Sequence, residues 1–389
     1  MSGLAWLAWQ HAVYNRVQTA ILVVCLAIPM FVPVTSSSLV AHYEATLRDR
    51  AAAVPLLAGR DGSRFDLTLA ALWFREAELD ELSMAEVERM RETEGITPLP
   101  MRLGFTARGV PVVGVTPEFF DLHGIRPVRG TLPLQLGEVV VGADVAKDLA
   151  LDVGGVMFSD QVDHYDISKP PSLAMDVVGV LPRRDGPEDD VVFVGLETTW
   201  IFEGIVHGHA ATEEVDDAMV LGRNEQAVTL SGAVVEYQRV TPDNIESFHI
   251  HADPSALPVS AIVLLPATPK AATLTKSHWN AGTTGVQIVV PTEVVEALMQ
   301  SVFRIKSLVD ALAFLLGACT VVMTTVVIVL SLRLRAREIE TLHRIGCGRR
   351  AVGWLCGLEI LAIVVLAALV AAIGFGLAVL WLPDLVRML

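Results

Sequence analysis

The run TAILVVCLAIPMFVPVTSSSLVA at residues 19–41 holds 23 residues without one charged side chain. A helix rises about 1.5 Å per residue, so a run of this length crosses the ~30 Å hydrocarbon core of a bilayer. Two more runs of this kind follow, ALAFLLGACTVVMTTVVIVLSL at 311–332 and ILAIVVLAALVAAIGFGLAVLWL at 360–382. They account for much of the 52% hydrophobic content and the mean hydropathy of +0.51 across 389 residues. Core helices of water-soluble proteins rarely run so far without a charge, so all three read as membrane spans. The first has Arg16 as its only nearby positive charge and no clean A-x-A site, which favours an uncleaved anchor over a removed signal peptide. Pro29 and Pro33 kink it, which neighbouring helices accommodate.

Charge orients these spans. Residues 42–303 carry 39 Asp and Glu against 19 Lys and Arg, a net of −20, while the rest of the chain carries 10 basic and 5 acidic residues. Arg333, Arg335, Arg337, Arg344, Arg349 and Arg350 crowd the short loop after the second span. Arginine in short flanking loops marks the cytoplasmic face. The N-terminus and residues 333–353 are therefore expected inside, with the acidic region and the end of the chain outside. Cys25, Cys319, Cys347 and Cys356 all fall within membrane or cytoplasmic segments, so no disulfide is expected to shape the exported region. With a net charge of −15, no nucleic-acid partner is expected.

Between the first two spans, strand and helix patterns alternate. Strands are expected at 110–115, 138–141, 176–180, 191–194, 233–240, 260–265 and 286–290. Helices are expected at 77–91, with Ser83 and Glu86 as a capping box, and at 143–151. A split into two lobes is expected near 160–175, and residues 291–306 read as a helix running into the second span. The fold class is thus an α-helical membrane protein with three transmembrane helices and a large mixed α/β periplasmic domain inserted between the first and second. The segments are an amphipathic cytoplasmic helix at 1–18 (Leu4, Trp6, Leu7 and Trp9 facing lipid), a first span at 19–41, and the α/β domain at 42–303. A second span with its extension follows at 304–332, then a cytoplasmic segment at 333–353, a third span at 354–382 and a tail at 383–389.

The segment REIETLHRIGCGRRAVGWLCGLEI at 337–360 carries most of the functional information. It is a basic amphipathic helix with Ile339, Leu342 and Ile345 on one face, stopped at Gly346 or Gly348, and it suits a groove on a cytoplasmic partner. On residues alone, a simple positive-inside anchor remains the alternative. The run resembles the coupling segment of the FtsX-like permease family, R-x-R-E-I-x-x-L-R-A-I-G-A-x-x-R followed by an apolar span opening on Leu-Glu. The matching residues are Arg337, Glu338, Ile339, Leu342, Arg344, Ile345, Gly346, Arg350, Leu358 and Glu359. The stretch NRVQTAIL at 15–22 is similar to the start of that family's first span. GVPVVGVTPEFFDLHGIRPVRG at 109–130 and GEVVVGADVAKDLAL at 137–151 are similar to the MacB-type periplasmic core.

The resemblance implies the permease subunit of a MacB/FtsX-type ABC transporter in the bacterial inner membrane. It also implies a homodimer or paired permease, served by cytoplasmic ABC ATPase subunits that bind and hydrolyse ATP. A periplasmic or outer-membrane partner and membrane lipid complete the expected company. The chain itself is expected to be non-catalytic: it has no G-x-x-x-x-G-K-[ST] loop to cradle phosphates, no H-E-x-x-H and no G-x-S-x-G. In the third span, Ala368, Ala372 and Gly376 stand four apart, a small-residue ridge on which another helix can pack closely. Family members have four spans, so the resemblance leaves a fourth helix either missing or supplied by another chain.

Two H-x-H pairs, His207 with His209 and His249 with His251, place imidazoles two apart on extended chain, where they share a face. Nitrogen donors of this kind suit Zn²⁺, Cu²⁺ or Ni²⁺, and Glu213, Glu214, Asp216 and Asp217 follow the first pair. ESFHIHADPSALPVSAIVLLP at 246–266 is similar to a subgroup of FtsX-like permeases with F-H-x-H-x-D runs, which implies a link to zinc homeostasis. The other histidines, His123 among them, suggest no role. Three functions stay open: a permease that exports or extracts a load, a mechanotransmitter regulating a periplasmic partner, and a membrane-anchored receptor without an ATPase.

Overall fold

The first apolar run does not stop at residue 41. Helix α1 is continuous over Arg16–Ala53, 38 residues with Pro29 and Pro33 inside it. At about 1.5 Å per residue it is roughly 57 Å long, nearly twice the thickness of a hydrocarbon core. The computed structural model describes residues 6, 10, 13–14, 16–161, 172–208, 220–223, 228–230, 237–250, 252–282, 284–334, 340 and 349–388. It divides into a unit of Met1–Leu47 with Ala297–Leu389 and a unit of Arg48–Glu296.

After α1 come β1 (Leu56–Arg60), α2 (Arg64–Trp73), β2 (Leu82–Ser83), α3 (Met84–Arg91), β3 (Ile96–Ala107), β4 (Val110–Val115) and α4 (Pro117–Leu122). Then follow β5 (Arg129–Gly130), β6 (Glu138–Val141), α5 (Ala143–Asp148), β7 (Val156–Phe158), β8 (Ala174–Val180), β9 (Val192–Gly195) and α6 (Leu196–Phe202). Next are β10 (Val206–Gly208), β11 (Val220–Arg223), β12 (Val228–Leu230), β13 (Phe248–Ile250), β14 (Pro258–Val259), β15 (Ala261–Pro266) and α7 (Pro269–Ala281). The last described elements are β16 (Val286–Val289), α8 (Pro291–Leu334) and α9 (Arg349–Met388).

Ten strands form one mixed sheet in the order β16-β1-β15-β3-β4-β9-β6-β8-β5, with β7 also on β8. The β4–β9 and β6–β8 pairs are parallel and the others antiparallel. Between β3 and β4 only Arg108 and Gly109 remain, with φ of 53° and 76°. Two consecutive left-handed residues make the tight hairpin turn whose twist matches the strands it joins. The Asp160 carboxylate accepts both of their N–H groups, at 2.9 and 2.7 Å.

The central strands β4, β6 and β9 are largely apolar and buried on both faces, as strands covered on both sides are. Val192 and Val194 of β9 join a core with Trp200, Phe202 and Trp279 from α6 and α7. Phe193 between them turns to the opposite face, where its ring lies 5.5 Å from Phe74, 5.8 Å from Phe119 and 5.5 Å from Phe120.

Two expectations are corrected. The helix at 77–91 is confined to Met84–Arg91, and Leu82 and Ser83 instead pair with Val259 and Pro258. Glu78 and Glu81 at i, i+3 would repel on a helix, and Leu82 gains more from burial against the β14 strand. The capping box itself is present: Glu86 accepts the Ser83 N–H at 2.7 Å and the Ser83 hydroxyl. Nor do residues 160–175 divide two lobes, because β7 and β8 on either side of them are antiparallel neighbours in the same sheet. Strands β4 and β6 fall on their expected ranges, as β8, β9, β15 and β16 do within one or two residues. Of the expected strand at 233–240, residues 233–236 lie outside the described residues, and 237–240 form no strand beyond an isolated bridge of Arg239 with Ala174.

Among the described residues, three helices are long and apolar enough to cross a membrane, over Arg16–Ala53, Pro291–Val327 and Gly357–Trp381. Leu22, Val23 and Ala27 of α1 pack on Ile363, Ala367 and Ala371 of α9. Gly317 of α8 faces Pro29, and Gly374 of α9 faces the Phe31 ring, each close enough that a side chain there would be in contact. Most large apolar side chains point outward, Phe314 with 81% of its surface exposed.

Candidate functional site

The strands joined to the two long helices lie side by side. β1 directly follows α1, β16 directly precedes α8, and they pair antiparallel with Leu57 opposite Val289. The chain therefore enters and leaves the sheet unit at one end of one strand pair. The end of α1 is fixed there: Ala51 in its last turn and Val54 just beyond it are buried. At the start of α8, Val294 and Val295 are buried and Glu293 pairs with Lys276 of α7 at 2.7 Å.

Arg50 secures the end of α1. Its guanidinium forks onto Glu188 (Nη1–Oε2 3.1 Å, Nη2–Oε1 2.7 Å), and its Nε–H donates to the Leu72 carbonyl. The cation also lies over the rings of Trp73 and Phe74, 5.9 and 5.7 Å from their centroids. Burial alone would raise the Glu188 carboxyl, but the hydrogen bonds and charge of Arg50 hold it below its ordinary value. His123, which ends α4, lies beside this pair with its ring 4.5 Å from that of Phe119. Burial lowers its pKa to about 4, with help from the positive charges of Arg50 and Arg184 and against the opposing pull of Glu188. The cluster thus joins α1, α2, α4 and the 187–190 turn around one half-buried ion pair, and His123 has a place in it that its isolation in the sequence concealed.

A second arginine, this one buried, lies at the centre of the sheet. Arg102 of β3 pairs with Glu81 at 2.5 Å and with Glu203, and donates to the Ser260 hydroxyl at 2.9 Å. Neither arginine was marked out in the sequence. Their partners lie 21 to 158 positions away, and no local pattern announces such pairs.

Of the residues expected to couple to an ATPase, Arg337, Glu338, Ile339, Leu342, Arg344, Ile345 and Gly346 lie outside the described residues, while Arg350 lies in the first turn of α9. The small-residue ridge of Ala368, Ala372 and Gly376 is not the face that packs within the chain. Ala367 and Ala371, one position earlier, are buried, whereas Ala372 and Gly376 are exposed.

His207 and His249 come together. They are direct cross-strand partners on β10 and β13, with ring centroids 4.9 Å apart. His209, His251, Glu213, Glu214, Asp216 and Asp217 lie outside the described residues. Among the described residues, no three His, Cys, Asp or Glu side chains converge as a metal site.

No family model and no curated protein matches the chain. Among solved structures it is similar to the periplasmic region of MacB from Actinobacillus actinomycetemcomitans, at 9% identity with a TM-score of 0.36, over 65% of this chain and 97% of that one. It is also similar to the extracellular domain of the noncanonic ABC-type transporter YknZ from Gram-positive bacteria. There the identity is 9% and the TM-score 0.34, over 61% of this chain and 98% of that domain. Scores this low leave the fold to be argued from the chain's own strands.

Proposed function

We propose that this chain is the permease subunit of a MacB/FtsX-type ABC transporter in the bacterial inner membrane, with its sheet unit in the periplasm. A cytoplasmic ATPase drives it, and movement passes along the long helices to the sheet unit to export or extract a load. The observation that carries the reading is the attachment of α1 and α8 to one end of the β1–β16 pair, with α1 held by the half-buried Arg50–Glu188 fork. A displacement of either helix reaches the sheet through two adjacent strands, without a flexible linker. Interiors close-packed like organic crystals pass such displacements on rather than absorbing them.

The sequence at 337–350 supplies the other end of the path, a basic amphipathic segment suited to a partner's groove. The pairing of permeases as dimers belongs to the same reading. The mechanotransmitter variant, in which movement regulates a periplasmic partner and nothing crosses the membrane, draws support from the uncharged runs 19–41, 311–332 and 360–382. Helices without a charged group offer no polar path for a soluble ion.

The test is co-purification from detergent extracts, with ATP hydrolysis as the readout. The wild-type chain is expected to bring down an ATPase, and Glu338→Ala with Arg344→Ala to lose it. A wild-type preparation with no ATP-hydrolysing partner would favour the receptor reading instead.

A further inference from the structure

A groove of about 630 Å³ runs between α1 and α8 in the helical unit, a volume within the range of small-ligand sites. The two helices are antiparallel there. Cys25 shares the groove with Thr320, and one turn further along α1, Pro29 meets Gly317, which comes earlier in α8. At that contact the helices close, for a Cβ at residue 317 would lie 3.5 Å from the Pro29 Cβ. The groove is therefore a wedge, shut at Pro29 and widening toward the start of α1.

Its two ends differ in chemistry. Tyr14, Arg16 and Gln18 line the wide end, and all three side chains are exposed. Further in, Ile21, Leu22, Cys25, Met323 and Val327 give an apolar lining. Of the two threonines there, Thr320 donates its hydroxyl to the Leu316 carbonyl at 2.8 Å and Thr324 is buried. Among the described residues, no Asp or Glu lines the groove. From Arg16 to Cys25 the helix rises roughly 14 Å, close to one leaflet's half of the ~30 Å hydrocarbon core. A cationic end and an apolar end one leaflet deep have the dimensions of a single lipid. A neighbouring helix would need a seam along the whole span, and this one stops at Pro29.

We propose that the α1–α8 groove binds one anionic phospholipid, with its phosphate on Arg16 and an acyl chain along Ile21, Cys25 and Met323. The planar guanidinium suits a phosphate, and Tyr14 and Gln18 stand beside it as neutral donors. Charge then selects the headgroup. With a cation and no carboxylate in the lining, a glycerol headgroup leaves the phosphate charge matched, whereas the ammonium of an ethanolamine headgroup meets no anion. Arg333, in the last turn of α8 and within two turns of Val327, adds positive charge at the same end. The site requires α1 and α8 to cross a bilayer and does not depend on the ATPase reading.

The experiment uses the full-length chain, stripped of lipid in detergent and offered equal phosphatidylglycerol and phosphatidylethanolamine with the same acyl chains. Retained lipid is counted by native mass spectrometry. One phosphatidylglycerol per chain is expected, favoured about tenfold and not displaced by excess inorganic phosphate. Arg16→Gln should lose that preference, and Arg16→Lys should keep most of it. Cys25→Trp fills the apolar end and should expel the lipid with Arg16 intact, and Ile21→Trp repeats this arm if the first variant misfolds. Equal retention of the two lipids would mean ordinary boundary lipid and would overturn the proposal. So would an Arg16→Gln chain that keeps the preference, displacement by inorganic phosphate, or a wild-type dimer that retains no lipid because a second copy fills the groove. ATPase co-purification with Arg16→Gln is expected to match the wild type, so this test can fail without touching the permease reading.

Discussion

The sheet unit and the helical unit solve opposite packing problems. In Arg48–Glu296 the bulkiest apolar side chains point inward, among them Phe119, Phe120 and Phe193, and Arg50 and the buried Arg102 are paired with carboxylates. In the helical unit the bulky side chains point outward, Phe314, Leu380 and Trp381 among them, while the contacts between helices are made by Leu22, Val23, Ala27, Ile363, Ala367 and Ala371. Water gives the first unit a reason to gather its apolar mass. A lipid solvent gives the second none, so its helices are left to pack through small residues and close contact. One chain therefore follows two rules, and the change occurs within single helices, since α1 and α8 each run through both units.

The most direct way to break this comparison is to truncate a side chain that only the first rule explains. Phe193→Ala removes a fully buried ring from between three others and is expected to cost about 3–5 kcal/mol. Chemical denaturation of the purified chain, followed by near-ultraviolet circular dichroism, measures it. A loss below about 1 kcal/mol would mean that the sheet face is not packed as described.

Arg50→Ala tests the junction itself. It leaves Glu188 buried and unpaired, which costs about 3 kcal/mol or more, while replacing both partners with apolar residues should recover most of the loss. If coupling depends on the clamp, the apolar pair restores stability but not ATP-driven activity.

Acid should loosen the same junction. The folded chain keeps His123 neutral down to about pH 4, whereas the unfolded chain protonates it near 6.5. Between those values the unfolded state binds more protons, so stability falls as pH is lowered from about 6.5 to about 4, by on the order of 3 kcal/mol. Glu188, whose pKa is lowered, adds a further loss as pH drops below its unfolded value. His123→Gln should flatten the first part of this profile and leave the second, as seen in denaturation midpoints across the pH range.

The smallest effects separate two faces of one helix. Ala367→Leu overfills a buried contact and is expected to cost about 1–3 kcal/mol, whereas Ala372→Leu, on the exposed face, should stay within about 0.5 kcal/mol in the isolated chain. Thermal unfolding in lipid nanodiscs compares them. A reversal would put the packing seam on the Ala368, Ala372 and Gly376 ridge after all.

What the sequence revealed followed what is local. Uncharged runs marked the three apolar helices, and β-branched runs marked β4 and β6 to the residue. The capping box at Ser83 and Glu86 was legible because its two halves are three positions apart. The helix drawn back to residue 77 failed because a tertiary neighbour, β14, took Leu82. Long-range polar chemistry left no trace: Arg50 and Glu188 are 138 positions apart, and each looks like any surface charge. The histidine motifs fall between these cases, each readable alone but not their meeting across β10 and β13. The face of α9 that packs on α1 could not be read from the sequence, because alanines occupy both 367–368 and 371–372, and only contact with α1 chooses between them.

The pairing of β1 with β16 has one more consequence. Neighbouring strands are about 4.8 Å apart, so everything from residue 54 to 290 closes on itself as a hairpin loop would. To the helices, the sheet unit is a cassette plugged in through two adjacent pins. A lineage can lengthen, trim or exchange such a cassette without redesigning what crosses the membrane, provided the two pins stay paired.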